Sequence, residues 1–115
     1  MHIEHITLRV KSLKESQKFY EEAAGLKLAG DLRPMGSPIV FYEDKAGDTK
    51  IELIEAPAEA LGGKGISIGF HTEDVEAKRI ELEAKGLNPT PMISPNPHVK
   101  FFFVNDPDGV QIQFI

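Results

Sequence analysis

The chain contains an internal repeat, and this feature constrains its fold more than any other. Residues 5–13 form an alternating polar and apolar run, followed by a helix-like pattern that ends at Gly25. A similar run begins about 62 residues later, over 67–75, and is followed by a second helix-like pattern that ends at Gly86. The ends of the copies correspond too, since Ile-Glu-Leu at 51–53 resembles Ile-Gln-Phe at 112–114. Because each copy alone would be marginally stable, we expect the copies to share the core of a single domain.

The composition and charge of the chain argue against several classes of function. Of the 115 residues, 41% are hydrophobic and 27% charged, as in ordinary globular proteins. The chain has no cysteine, so any metal ion would be held by oxygen and imidazole ligands. A net charge of −5 without a basic stripe argues against nucleic-acid binding. The sequence has neither a signal-peptide pattern nor a membrane-spanning apolar run, which predicts a cytoplasmic protein without a membrane partner.

The first copy predicts a strand, a helix and three further strands. Alternation over residues 3–10 places His5, Thr7 and Arg9 on the polar face of the first strand. Ser12 and Glu15 have the spacing of a capping box, which predicts a helix that ends at Gly25. Its predicted inward residues are Leu13, Phe19, Tyr20 and Ala23. The remaining predicted elements are strands over 26–32, 39–42 and 49–55, with a loop over 33–38.

The second copy predicts the same order of elements. Its first strand is expected to place Ile66, Ile68 and Phe70 on the core face. A helix capped by Thr72 or Asp74 should follow, in which Ala77, Ile80 and Ala84 recur at helical spacing, supported by Val75 and Leu82. Prolines over 89–97 leave room only for a short edge strand near residues 92–93. Strands over 101–104 and 110–115 should then be joined by a tight turn at 105–109, with Gly109 at positive φ.

Two short motifs, taken together with the repeat, point to a known family. The pattern His5-Ile6-x-Leu8 opens the first copy, and Asn-Asp-Pro-Asp-Gly at 105–109 precedes the last strand. The chain resembles the vicinal oxygen chelate superfamily, which includes glyoxalase I, bleomycin-resistance proteins, fosfomycin-resistance transferases and extradiol dioxygenases. The resemblance implies an α+β fold in which two tandem βαβββ modules form a curved eight-stranded mixed sheet. The modules would span 1–56 and 65–115 of one glyoxalase-like domain, joined by a linker over 57–64.

The resemblance also implies a metal site with ligands from the first and last strands of each module. Carried onto this chain, those positions are His5, Glu52, Ser67 and Gln113. His5 and Glu52 match glyoxalase I, whereas metalloenzymes of the family typically carry His at the position of Ser67 and Glu at that of Gln113. A serine hydroxyl is a poor substitute for imidazole as a transition-metal ligand. The implied cofactor is therefore a divalent metal such as nickel or zinc on His5, Glu52 and Gln113.

The same resemblance suggests roles for the polar groups around that position. Glu52 would be the proton-transfer base, with or without binding the metal. Arg9 and His71 correspond in the repeat and, with Gln113, would bind an anionic substrate. Three plainer interpretations stay open: His5 as a hydrogen-bonded cleft histidine, Glu52 as a solvated carboxylate on the non-core face, and Arg9 and His71 as partners of surface acids.

Two functions of different classes follow. The first is a lyase or isomerase of the lactoylglutathione lyase type, which moves a proton on a small vicinal-oxygen substrate with metal assistance. The alternative is a metal-free protein of the bleomycin-resistance type, which would bind a small ligand or drug and would account for Ser67 and Gln113. An extradiol dioxygenase or a fosfomycin transferase would need a second histidine at the position of Ser67. By resemblance, a homodimer is expected.

Overall fold

A computed structural model describes all 115 residues and divides them into two compact units, Met1–Leu61 and Gly62–Ile115. Each unit contains one helix and one sheet of four strands. The predicted α+β fold with two tandem modules is therefore confirmed. No helix has the length and apolar character needed to cross a membrane.

The first unit follows the predicted order of elements. It consists of β1 (His5–Val10), α1 (Leu13–Glu22), β2 (Lys27–Asp31), β3 (Ile39–Glu43) and β4 (Lys50–Glu55), with short 3₁₀ helices at Arg33–Met35 and Pro57–Glu59. The strands lie in the order β1-β4-β3-β2. β1 and β4 are parallel, and the other neighbours are antiparallel. Because β1 and β4 are sheet neighbours, side chains about 45 residues apart in sequence lie side by side.

Helix α1 has the predicted N-terminal cap and inward face, and it ends at Glu22, three residues before Gly25. The Ser12 hydroxyl accepts a hydrogen bond from the Glu15 amide at 3.3 Å, and the Glu55 carboxylate accepts one from the Leu13 amide at 3.0 Å. These bonds satisfy amides that the first helical turn leaves without a partner. Gly25 ends the segment at φ +70°. The predicted inward residues Leu13, Phe19, Tyr20 and Ala23 are all buried.

The two faces of the first sheet differ in chemistry. Alternate side chains of the strands are buried on one face: Val10, Val40, Tyr42, Ile51 and Leu53. The intervening positions carry His5, Thr7 and Arg9 on β1 and Glu52 on β4. Since successive side chains of a strand point to opposite faces, these polar groups share the face opposite the core.

The second unit repeats this architecture. It consists of β5 (Ser67–Phe70), α2 (Val75–Ala84), β6 (Ile93–Asn96), β7 (Val99–Asn105) and β8 (Gln111–Phe114). The strands lie in the order β5-β8-β7-β6, with β5 and β8 parallel. The predicted turn between β7 and β8 is present, and Gly109 adopts φ +86°. The core of this unit contains Ile68, Leu82, Phe102, Ile112 and Phe114.

Two details of the second copy were predicted wrongly. Ile66 precedes β5 and is exposed, so the strand begins one residue later than expected. In α2, Leu82 is fully buried as expected, but Ala77, Ile80 and Ala84 are exposed. The Lys78 ammonium lies 5.4 Å from the centroid of the Phe114 ring, so the buried side of α2 includes a lysine. A long lysine side chain can cover apolar surface, which shifts the inward face away from the purely apolar positions.

Candidate functional site

The polar face of the first sheet brings together His5, Thr7 and Glu52. The parallel pairing of β1 and β4 places Thr7 directly beside Glu52. The antiparallel pairing of β3 and β4 places Phe41 on the other side of Glu52. His5 lies two residues before Thr7 and therefore on the same face of β1. Glu52 is thus surrounded by a hydroxyl, an aromatic ring and an imidazole.

The contacts within this cluster converge on one carboxylate oxygen. The Thr7 hydroxyl donates a hydrogen bond to Glu52 Oε1 at 2.5 Å, and His5 Nε2 lies 3.5 Å from the same atom. The His5 ring also packs edge-on against Phe41, with 5.9 Å between ring centroids. The Glu52 side chain is only 13% exposed, whereas that of His5 is 42% exposed. The cluster therefore offers a sheltered carboxylate next to an imidazole that reaches solvent.

This arrangement is suited to proton transfer. Carboxylates and imidazoles are the side chains that most often accept and donate protons in enzymes. The contacts described above involve Glu52 Oε1, so the other carboxylate oxygen, Oε2, can accept a proton from a bound molecule. His5 Nε2, at the exposed edge, can donate a hydrogen bond to an oxygen of the same molecule.

Arg9 lies on the same face of β1 but contacts a surface acid. Its Nε lies 2.9 Å from Glu59 Oε2, and both side chains are about half or more exposed. From the sequence, Arg9 could either bind an anionic substrate or pair with a surface acid, and this contact is of the second kind. Exposed ion pairs contribute about 0.2–1 kcal/mol, so the guanidinium can exchange Glu59 for an anionic ligand at little cost.

The second unit carries neutral groups at the corresponding positions. Gly69 pairs with Gln113 across β5 and β8, and Ser67 pairs with Gln111. A Cβ atom at Gly69 would lie 3.0 Å from Gln113 Oε1, so the glutamine amide lies close to the glycine backbone. Ser67 and Gln111 line a hollow of about 350 Å³ together with residues 63–66. His71 is exposed and lies one residue beyond the end of β5.

A larger hollow in the first unit lies apart from this chemistry. It measures about 750 Å³ and runs along α1, between Lys14, Lys18 and Glu21 on the helix and Arg33 and Glu55 beyond it. Neither His5 nor Glu52 lines it. Its rim combines several charges of both signs and is open to solvent, so the candidate site is defined by the contacts around Glu52 rather than by the size of a hollow.

The ionisable groups do not form a transition-metal centre. No group of three or more His, Cys, Asp or Glu side chains is arranged so that it could hold a metal ion. Catalytic zinc sites typically use three protein ligands. The first unit supplies only His5 and Glu52, and the Thr7 hydroxyl already donates to that carboxylate. Ser67 and Gln113 are neutral and weak as ligands. The donor set therefore does not fit the nickel or zinc ion that the resemblance implies.

Two members of the cluster had no role in the sequence-based prediction. Thr7 was placed on the polar face of the first strand, but nothing in its neighbourhood in sequence indicates a contact with Glu52. Phe41 belongs to a short apolar strand in which neither face is marked as polar. Alternation against the buried residues Val40 and Tyr42 is the one signal that could have placed Phe41 on the face of Glu52.

Known proteins resemble this chain over nearly its whole length. The family model described as Glyoxalase/Bleomycin resistance protein/Dioxygenase superfamily matches residues 2–114. YwbC, an uncharacterised protein of Bacillus subtilis, is 32% identical, and the match covers 97% of this chain and 94% of YwbC. A lactoylglutathione lyase of Haemophilus influenzae is also 32% identical, with coverage of 100% and 92%. TnmS3, an antibiotic binding protein from Streptomyces sp. CB03234, has a similar fold with a TM-score of 0.80, 23% identity and coverage of 99% and 93%.

Proposed function

We propose that this chain is an enzyme of the glyoxalase type. The premise is that the chain belongs to the glyoxalase, bleomycin resistance protein and dioxygenase superfamily. It would catalyse proton transfer on a small substrate with two adjacent oxygen atoms, with Glu52 as the base. The observation that carries this proposal is the hydrogen-bonded, largely buried carboxylate of Glu52 beside the more exposed His5.

The proposed reaction is an isomerisation that the chain's own side chains can perform. Glu52 Oε2 takes the proton from the carbon that bears the hydroxyl group, and the electrons of that C–H bond move to the adjacent carbonyl oxygen. The resulting enediolate accepts a hydrogen bond from His5 Nε2. Glu52 then returns the proton to the neighbouring carbon, and the proton of the original hydroxyl group passes to the adjacent oxygen, so that the hydroxyl and carbonyl groups exchange places and the substrate gains and loses no atoms. General acid and base groups of this kind contribute about 10²- to 10⁴-fold to rate.

A hemithioacetal of glutathione is the substrate that we propose. Relatives named lactoylglutathione lyase, at 32% and 30% identity, support this choice. We propose His71 and Gln113 as polar ligand-binding groups of the second unit. Glutathione carries carboxylates, and Arg9, which lies on the same face of the first sheet as Glu52, is the group we propose for binding one of them. The exposed pairing of Arg9 with Glu59 is compatible with this role because it can be exchanged.

The test is turnover of the hemithioacetal, followed by thioester absorbance, in three variants. Glu52→Gln should lower kcat by about 10²-fold or more, since the amide cannot accept the proton. Glu43→Gln is the matched control, because Glu43 is a comparably sheltered carboxylate of the same sheet that contacts Lys50 instead. His5→Gln should lower kcat as well. Full activity of Glu52→Gln would refute the proposal.

A chelator provides a second arm of the same experiment. Because the donor set does not fit a metal centre, turnover should survive dialysis against a chelator. Turnover that is lost on dialysis and restored by nickel or zinc would instead assign His5 and Glu52 to a metal ion.

A metal-free binding protein of the bleomycin-resistance type is the second candidate. The neutral pair Ser67 and Gln113 favours it, since these residues can hydrogen-bond a ligand but neither holds a metal nor moves a proton. A thermal-shift screen of organic ligands in the presence of chelator tests this candidate. Stabilisation without any turnover would support it over the enzyme.

Family membership also supports a homodimer as the proposed assembly. Sedimentation equilibrium checks it, and a mass near the 12.7 kDa of one chain would exclude it.

A further inference from the structure

We propose that Thr7 is the positioning residue for Glu52: its hydroxyl holds one carboxylate oxygen so that the other points at the substrate. This inference rests on the proposed function, in which Glu52 moves a proton. Thr7 would not itself touch the reacting atoms.

Strand pairing puts the hydroxyl in a defined place. Thr7 and Glu52 are direct partners in the parallel ladder of β1 and β4, and the hydrogen bond joins Thr7 Oγ1 to Glu52 Oε1 at 2.5 Å. Threonine is branched at Cβ, which restricts its side-chain rotation, so a strand holds its hydroxyl in few orientations. Fixing one oxygen of a planar carboxylate also fixes the direction of the other.

The rest of the surroundings cannot replace this donor. Phe41, on the opposite side of Glu52, has no hydrogen-bonding group on its side chain. His5 Nε2 lies 3.5 Å away, at the outer limit of a hydrogen bond, and its ring is 42% exposed. Lys50, two residues before Glu52 on the same strand, has its ammonium near Glu4 and Glu43 instead. Thr7 is thus the group within normal hydrogen-bonding distance of this sheltered carboxylate.

The second unit provides an internal comparison. Its pair equivalent to Thr7 and Glu52 is Gly69 and Gln113. The glycine offers no hydroxyl, and a Cβ atom there would lie only 3.0 Å from Gln113 Oε1. The first unit, with the carboxylate of Glu52, therefore has a hydroxyl donor at the paired position. The second unit, with the neutral amide of Gln113, has no hydroxyl there. This difference is expected if the hydroxyl serves the carboxylate rather than the strand pairing that both units share.

The experiment compares Thr7→Val, which keeps the shape and loses the hydroxyl, with Thr7→Ser, which restores the hydroxyl. Thr7→Val should lower kcat for the hemithioacetal by about tenfold to a hundredfold, the range expected for a hydrogen bond to a charged group, with little change in KM. Thr7→Ser should recover most of this loss. Thr49→Val is the matched control, because the Thr49 hydroxyl donates to the Ile3 carbonyl in the same unit but away from Glu52.

A second measurement requires no turnover. Crystal structures of the Thr7 variants should show the Glu52 carboxylate displaced in Thr7→Val and in its original place in Thr7→Ser. A carboxylate that stays in place in Thr7→Val overturns the inference, and so does a Thr7→Ser variant that is as impaired as Thr7→Val. If Glu52→Gln retains full activity, the proposed function fails, and the position of the carboxylate still decides the role of Thr7.

Discussion

Asp106 should be one of the most sensitive positions for the stability of the second unit. It opens the turn between β7 and β8 and is almost fully buried. Its Oδ1 accepts hydrogen bonds from the amides of Asp108 and Val110, each at 2.9 Å. Its own amide donates to the Val110 carbonyl at 2.9 Å. The side chain therefore ties the turn together at the start of the strand that carries Gln113.

The expected cost of Asp106→Ala follows from these contacts. A buried donor left without an acceptor costs about 1–3 kcal/mol. The Val110 amide is buried and should lose this full amount, whereas the Asp108 amide is partly buried and can reach water. We expect a loss of about 3 kcal/mol in the free energy of unfolding. Asp106→Asn keeps the acceptor oxygen and loses only the charge, so about 1 kcal/mol is expected.

Urea unfolding followed by far-ultraviolet circular dichroism measures both values. Asp48→Ala is the control, because Asp48 also accepts a backbone hydrogen bond in a turn, from the Lys45 amide, but in an exposed position. That variant should lose less than about 1 kcal/mol. Equal losses for Asp106→Ala and Asp106→Asn would refute the reasoning, since the acceptor oxygen would then be irrelevant.

Three further predictions concern the first unit. Ser16→Ala should raise the free energy of unfolding by about 1 kcal/mol in urea, because the buried Ser16 hydroxyl has no hydrogen-bond partner. Burial and the Glu21 carboxylate raise the pKa of Tyr42 to about 12. The stabilisation from its neutral form is therefore complete below pH 10 and lost as the pH rises toward 12, by about 1.4 kcal/mol at pH 11 in urea unfolding; Tyr42→Phe should remove this dependence. Glu59→Gln should release Arg9 and tighten binding of glutathione thioethers by about two- to fivefold in calorimetry.

A specific result would contradict each of these three predictions. Destabilisation by Ser16→Ala would mean that the hydroxyl has a partner in solution. An alkaline loss of stability as large in Tyr42→Phe as in the original chain would assign that loss to another group. Unchanged thioether binding in Glu59→Gln, with unchanged binding in Arg9→Gln, would remove Arg9 from the binding site.

Local patterns in the sequence were sufficient for the elements and their order. Alternation identified β1, the serine at position 12 and the glycine at 25 bounded α1, and the Asp-Pro-Asp-Gly turn located the last hairpin. Each of these signals acts over a few residues, through side-chain direction, capping or backbone conformation. The second copy of the repeat carries the same kinds of local signal, and the resemblance of the two motifs indicates the family.

Local patterns failed where a neighbour distant in sequence decided the outcome. The inward face of α2 was predicted only in part: Leu82 is buried as expected, but the face also includes Lys78, which packs over Phe114 in a contact between a helix and a strand that local patterns cannot reveal. The contact of Arg9 with Glu59 depends on the packing of a 3₁₀ helix beside β1, which the local pattern of β1 cannot reveal.

By itself, the sequence determined the two-module architecture and the polar faces of β1 and β4, with His5 on the first and Glu52 on the second, because strand periodicity and chain order are local properties. Only the tertiary structure decided what surrounds Glu52. Thr7 and Phe41 reach it through the registers of β1 and β3 against β4, and register depends on hydrogen bonds between strands that are far apart along the chain.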